Sequence, residues 1–123
     1  MNFPNNLRYN KDYSWVKIED DIATIGLIEY SAKKVEEFVF IMLPSVNQQL
    51  KENDVYVTLE AVKWSGHLTT PVEGEILEVN EELFNEPSKI NEDPYDNWII
   101  KVRIEKQLNL MDTEEAKKYY ESK

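Results

Sequence analysis

Alternating apolar and polar positions along the chain predict a series of short β-strands. Residues 15–19 alternate, the turn-prone pair Asp20-Asp21 follows, and residues 22–27 resume the pattern, so these segments predict a β-hairpin. Similar alternation predicts three further strands, at 55–59, 75–79 and 98–104. The segment Phe38 to Leu43 is almost wholly apolar and stops at Pro44, which is typical of a buried strand.

Two segments have helical rather than strand character. Residues 29–37 lack alternation and place Ser31 just ahead of Ala32-Lys33-Lys34, which predicts a short internal helix. Near the C-terminus, Asp112 and Thr113 are potential N-caps for a helix that continues through residues 116–120. Many short strands with one helical insertion and a terminal helix predict a mainly β fold, either a small barrel or a sandwich.

Length and net charge limit the classes of function that this chain can have. The 123 residues fit a single domain, 1–123, and no segment resembles a linker. The formal net charge of −10, without a basic stripe, predicts no nucleic-acid or membrane partner. The N-terminus lacks the features of a signal peptide, so we expect a cytoplasmic protein, or a mitochondrial matrix protein if a targeting segment was removed.

The usual catalytic and metal sites are missing from the sequence. There is no cysteine, and His67 is the only histidine, so a Cys or multi-His metal site is excluded. No serine lies in a G-x-S-x-G elbow, and there is no glycine-rich phosphate loop. We therefore predict neither catalytic residues nor a metal site, and expect any thiol or redox chemistry to come from a cofactor.

One lysine lies in a connection where modification is chemically reasonable. Lys63 is near the middle of the segment between the predicted strand 55–59 and the region 71–79, so it would be presented at an accessible turn. A deprotonated lysine amine attacks an activated carboxyl group and forms a stable amide. Most lysines in turns are merely solvated, however, and spacing alone leaves both interpretations open.

Sequence motifs around this lysine resemble those of the lipoyl-carrying glycine cleavage H proteins. Residues 59–63, Leu-Glu-Ala-Val-Lys, are similar to the family's (V/I)-E-S-V-K attachment sequence, and Thr70 to Asn80 resembles S-P-(V/I)-S-G-E-V-(V/I)-E-V-N. Collinear similarities occur from about residue 7 to residue 120, at 15–17, 23–26, 39–44, 90–95 and 98–101. The resemblance thus covers nearly the whole chain.

This resemblance implies a fold, a cofactor and a set of partners. The fold would be a barrel-sandwich hybrid, with Lys63 at a hairpin tip bearing lipoate through an amide and Glu60 in the attachment turn. The carrier would shuttle an aminomethyl group between glycine decarboxylase, aminomethyltransferase and dihydrolipoamide dehydrogenase. A lipoate ligase or lipoyl transferase would attach the arm. Such a protein is not itself an enzyme, and a freely moving arm suits a monomer.

Three positions expected to form a pocket for the arm depart from the family pattern. The usual acid before the first tryptophan is replaced by Ser14, and an acid after the attachment lysine is replaced by His67. Trp64 stands where a small residue is usual. Because a carboxylate attracts a cationic aminomethyl amine, these changes put the loaded group in question.

Two alternatives to glycine cleavage therefore stay open. One is a divergent H-like carrier that serves lipoyl relay or sulfur-oxidation chemistry. The other is an unmodified interaction module that has kept the fold without the cofactor.

Overall fold

The chain folds into two antiparallel β-sheets with short helices at their edges. The computed structural model describes residues 2–122. Its elements follow the chain in the order β1 (Arg8–Tyr9), β2 (Ser14–Glu19), β3 (Ile22–Leu27), α1 (Glu29–Lys34), β4 (Phe38–Met42), β5 (Gln49–Leu50), β6 (Val55–Ala61), β7 (Trp64–Thr69), β8 (Val72–Val79), α2 (Glu82–Asn85), α3 (Lys89–Glu92), β9 (Ile100–Gln107) and α4 (Thr113–Glu121).

The two sheets share one core. A six-stranded sheet has the order β1-β2-β3-β9-β8-β5, and a three-stranded sheet has the order β4-β6-β7. Buried residues of both sheets pack together, among them Ile25 and Val102 from the larger and Ile41 and Leu59 from the smaller. Burial of these apolar side chains supplies most of the driving force for folding. The predicted mainly β fold, with an internal and a C-terminal helix, is confirmed.

Local sequence explains the best-predicted elements. The β2–β3 hairpin turns at Asp20, whose φ of 56° is a left-handed conformation that aspartate tolerates better than most residues. Helix α4 begins with a capping box in which Asp112 accepts from the Glu115 amide and Glu115 accepts from the Asp112 amide. The helix α1 is shorter than predicted and ends at Lys34.

A second, aromatic cluster attaches α4 to the N-terminal strands. The Tyr120 hydroxyl accepts from the Tyr13 amide at 2.8 Å and donates to the Asn10 carbonyl at 2.7 Å. The Tyr120 ring also packs against those of Tyr13 and Tyr30. Residues near both chain ends therefore hold in place the tyrosines that line the site described below.

One strand is less buried than its sequence predicts. The expectation of a buried strand at 38–43 is correct for Phe38 and Ile41, but Phe40 and Met42 point outward and are exposed. The physical reason is that the smaller sheet is covered by the core on one face only. A register irregularity between Phe38 and Phe40 also leaves the intervening Val39 exposed, so burial along this strand does not alternate strictly.

Candidate functional site

Lys63 lies at the tip of the hairpin formed by β6 and β7. Ala61 pairs with Trp64, so Val62 and Lys63 alone form the connection between the strands. Both side chains are exposed, and no ion pair holds the Lys63 ammonium group within residues 2–122. The amine is therefore held at a fixed point on the surface while remaining accessible to a modifying enzyme.

Glu60 lies beside this turn on the outer surface of the smaller sheet. It pairs with Ser65 on β7 and with Phe40 on β4, and its side chain is exposed. The carboxylate therefore faces solvent. It belongs to the second strand pair counted from the turn. A modifying enzyme that approached the hairpin tip from this side would meet Glu60 together with Lys63.

An aromatic-walled groove runs from Lys63 along the opposite face of the hairpin. Its outer part, a cavity of about 370 Å³, is lined by Lys63, Trp64 and the α1–β4 connection with Glu36 and Glu37. Its inner part, of about 150 Å³, is lined by residues that include Tyr13, Tyr30, Ser31, Phe38 and Trp64. Lys34 and Trp64 border both cavities, so the two adjoin, and we refer to them together as the groove.

Trp64 forms a wall of this groove. Its ring packs edge-on against Phe38, with centroids 6.0 Å apart, and lies directly over Gly66. A Cβ atom at position 66 would come within 2.7 Å of the Trp64 ring, so the glycine makes room for the indole. The side chain remains 44% exposed and presents an apolar surface to the groove.

Polar groups occupy defined positions along the groove. The Lys34 ammonium donates a hydrogen bond of 2.6 Å to the Tyr30 hydroxyl and lies 4.1 Å from the centre of the same ring. Farther in, the Ser31 Oγ atom is buried and has no hydrogen-bond partner within the described chain. Because an unpaired buried hydroxyl is costly, Ser31 is available to bond a polar group that enters the groove.

Of the three residues expected at an arm pocket, the structure brings only Trp64 to this groove. Trp64, Gly66 and Leu68 share the inner face of β7, whereas Ser65 and His67 alternate onto the outer face. His67 is thus exposed on the side of the hairpin away from the groove.

Ser14 is also outside the groove, because it is fully buried between the sheets. Its Oγ atom is 2.6 Å from the hydroxyl of Tyr56, a buried residue of β6. Burial raises the pKa of Tyr56, and the hydrogen bond with Ser14 opposes part of that rise. Ser14 therefore connects the two sheets rather than lining the surface beside Lys63.

Comparison with known proteins identifies the family. The family model described as glycine cleavage H-protein matches residues 7–123. A probable glycine cleavage system H protein of Thermoplasma volcanium is 38% identical over 117 residues, which cover 95% of this chain and 96% of the relative.

The chain belongs to the glycine cleavage H-protein family. The glycine cleavage system H protein of Staphylococcus epidermidis is likewise 38% identical over 122 residues, covering 98% of this chain and 97% of the relative. Members of this family are lipoyl carriers of the glycine cleavage system and not catalysts, which confirms the predicted family and the prediction of a carrier instead of an enzyme.

The H-protein fold is confirmed independently by a solved structure. The crystal structure of a glycine cleavage system H protein from Mycobacterium marinum superposes with a TM-score of 0.89 at 24% identity. The match covers 94% of this chain and 97% of the other.

Within residues 2–122, no helix is long and apolar enough to cross a membrane, and no group of three or more His, Asp or Glu side chains is placed to hold a metal ion.

Proposed function

We propose that this H-family protein carries lipoate as an amide on Lys63 and presents an aminomethyl group to the enzymes of glycine cleavage. The observation that carries the proposal is the position of Lys63, exposed in the two-residue turn of the β6–β7 hairpin. A short turn fixes the backbone, so the arm pivots from a defined point. Tethering of this kind raises the local concentration of the cargo at each partner's active site.

The groove beside Lys63 fits such an arm. Trp64 and Phe38 provide apolar walls for an alkyl chain, and Ser31, whose buried hydroxyl has no partner within the described chain, also lines the inner part. When bound, lipoate supplies a dithiol, which the cysteine-free chain itself lacks. The groove's residues would contribute by sheltering the arm between visits to its partners and by excluding water from its apolar length.

Acidic side chains in the outer groove bear on which chemical group the arm would carry. Ser14 and His67 replace acids of the family pattern, but Glu36 and Glu37 line the cavity that contains Lys63. Both carboxylates are exposed and form no ion pair with the described lysines and arginines. Lys34 borders the same cavity and offsets one of these two charges, so one net negative charge remains once Lys63 is acylated. An ammonium group on the arm would be attracted to it, which favours an aminomethyl cargo over an anionic one.

Partners and attachment follow from the same proposal. We expect glycine decarboxylase, aminomethyltransferase and dihydrolipoamide dehydrogenase to act on the arm in turn, after a lipoate ligase or lipoyl transferase has attached it. Glu60, which is exposed and pairs with Ser65 near the turn, would contribute to recognition of the turn by the attaching enzyme.

Glycine-dependent CO2 exchange tests the proposal. The lipoylated protein would be combined with glycine decarboxylase, and exchange of labelled CO2 into glycine would be followed. We expect exchange that requires lipoate and is lost in Lys63→Arg, with Lys51→Arg as the matched exposed control. Efficient lipoylation without exchange would refute the glycine-cleavage function and favour the divergent carrier. Absence of lipoylation would favour the unmodified module.

A further inference from the structure

An exposed apolar surface lies on the outer face of the smaller sheet, opposite the groove. Strand register places two rows side by side on this face, namely Phe40–Glu60–Ser65 and Met42–Thr58–His67. Phe84, from α2, packs against Phe40 with ring centroids 6.4 Å apart and extends the surface at its edge. We refer to these seven residues as the outer sheet face.

Large apolar side chains on this face are unusually open to solvent. Phe40 is 37% exposed, Met42 58% and Phe84 59%. Single exposed apolar residues are common, but three that adjoin across two elements form a contiguous patch of the kind that marks interaction sites. Phenylalanine and methionine are also among the residue types enriched in the centres of protein interfaces.

Acidic side chains lie within this patch and next to the helix that extends it. Glu60 lies within the face, and Glu81 and Glu86 flank the helix that carries Phe84. These three carboxylates are exposed, and no ion pair neutralises them within residues 2–122. The seven residues of the face include no lysine or arginine. A second copy of this chain, with its net charge of −10, would be repelled, whereas a basic surface would be attracted.

The outer sheet face lies close to Lys63, on the side of the hairpin opposite the groove. Its first row, Phe40–Glu60–Ser65, is separated from the Val62-Lys63 turn by a single strand pair, Ala61–Trp64. The groove proposed to shelter the arm is on the other face of the same hairpin. A partner seated on the outer sheet face would therefore leave the groove unobstructed while lying within reach of an arm that swings around the hairpin tip.

We propose that the outer sheet face is the docking surface for the decarboxylase that acts on the Lys63 arm. The complementary surface on that enzyme has an apolar centre flanked by lysine or arginine side chains beside its active-site entrance. Apolar contact through Phe40, Met42 and Phe84 provides affinity, and the neighbouring carboxylates orient the encounter. This inference rests on the proposed carrier function, because the occupant is defined by its action on the arm.

Steady-state kinetics with glycine decarboxylase test the inference. Wild type, Met42→Glu and Phe84→Glu would be lipoylated, matched for lipoate content by intact mass, and used at varied concentration in the CO2 exchange assay. Loss of an apolar anchor weakens docking without altering chemistry, so we expect KM for the carrier to rise by about tenfold while kcat is unchanged. Glu60→Lys is expected to raise KM and to reduce its dependence on salt.

Val46→Glu is the matched control. Val46 is 46% exposed in the loop after β4, beyond the end of the strand that points away from Lys63. Its KM should stay within about twofold of wild type. If Met42→Glu and Phe84→Glu also retain the wild-type KM, the docking inference is overturned while the carrier function stands. Wild-type protein that is lipoylated but supports no exchange would overturn both.

Discussion

The buried hydrogen bond between Ser14 and Tyr56 gives a quantitative prediction about stability. Ser14→Ala removes the partner of the Tyr56 hydroxyl, which is 2.6 Å from Ser14 Oγ in a fully buried site. No other residue within 2–122 forms a hydrogen bond with that hydroxyl. Leaving a buried hydroxyl unpaired costs about 1–3 kcal/mol, so the free energy of unfolding should fall by that amount.

A double-mutant cycle separates this effect from simple loss of packing. Tyr56→Phe leaves Ser14 Oγ unpaired and should also destabilise the protein. In the double variant both polar groups are gone, so its loss should be smaller than the sum of the single losses by about 1 kcal/mol or more. Urea unfolding followed by circular dichroism measures all three free energies, with the exposed Ser65→Ala as control, expected within about 0.5 kcal/mol of wild type.

Two results would refute this reasoning. One is a Ser14→Ala variant that is no less stable than the Ser65→Ala control, and the other is full additivity of the two single losses in the double variant. A related expectation concerns an acid at this position. Ser14→Glu would place a carboxylate between the sheets instead of in the groove, so it should lower stability further without strengthening retention of an aminomethyl arm.

Three further predictions concern the groove and the buried tyrosines. Gly66→Ala should keep the fold but displace the Trp64 indole, because the new Cβ would lie 2.7 Å from the ring. The displacement should shift the NMR resonance of the Trp64 side-chain N–H. An unchanged resonance would contradict the packing described. Replacing Glu36 and Glu37 together with glutamine should speed release of an aminomethyl-loaded arm from the groove by a few-fold, whereas an equal rate would show that these carboxylates do not attract the cargo. Burial raises the pKa of Tyr95 to about 12, and burial also raises the pKa of other tyrosines in the core. The folded state thus keeps tyrosine protons that the unfolded chain loses near pH 10. The free energy of unfolding should therefore be at its full value below about pH 10 and decline above it. Urea unfolding midpoints measured across that pH range test this.

Patterns that depend on neighbours along the chain predict this fold well. The β2–β3 hairpin occupies 14–19 and 22–27, within a residue of the alternation that predicted it. The capped helix α4 was also evident, because Asp112 and the following acids act locally. By contrast, β7 was not predicted as a strand, since Ser65 and Gly66 interrupt its apolar alternation.

The candidate site likewise has one part that the local sequence predicts and another part that it does not. The accessible turn around Lys63 could be predicted from the chain, because its position between two strands and its similarity to an attachment motif are local features. The groove could not, because it depends on which face of β7 each side chain occupies. Register with β6 places Trp64 toward Phe38 and His67 on the opposite side. The burial of Ser14 depends likewise on a contact with the other sheet, 42 residues away along the chain.

The central claim is that Lys63 bears the lipoyl arm, and mass spectrometry of the protein from its native host tests it most directly. Digestion should give a peptide containing Lys63 whose mass is increased by one lipoyl group, and the same increase should appear in vitro with lipoate ligase, lipoate and ATP. Lys63→Arg should remain unmodified, whereas Lys51→Arg should be modified like wild type. An unmodified Lys63 in both preparations, or a lipoyl group on another lysine, would contradict the account.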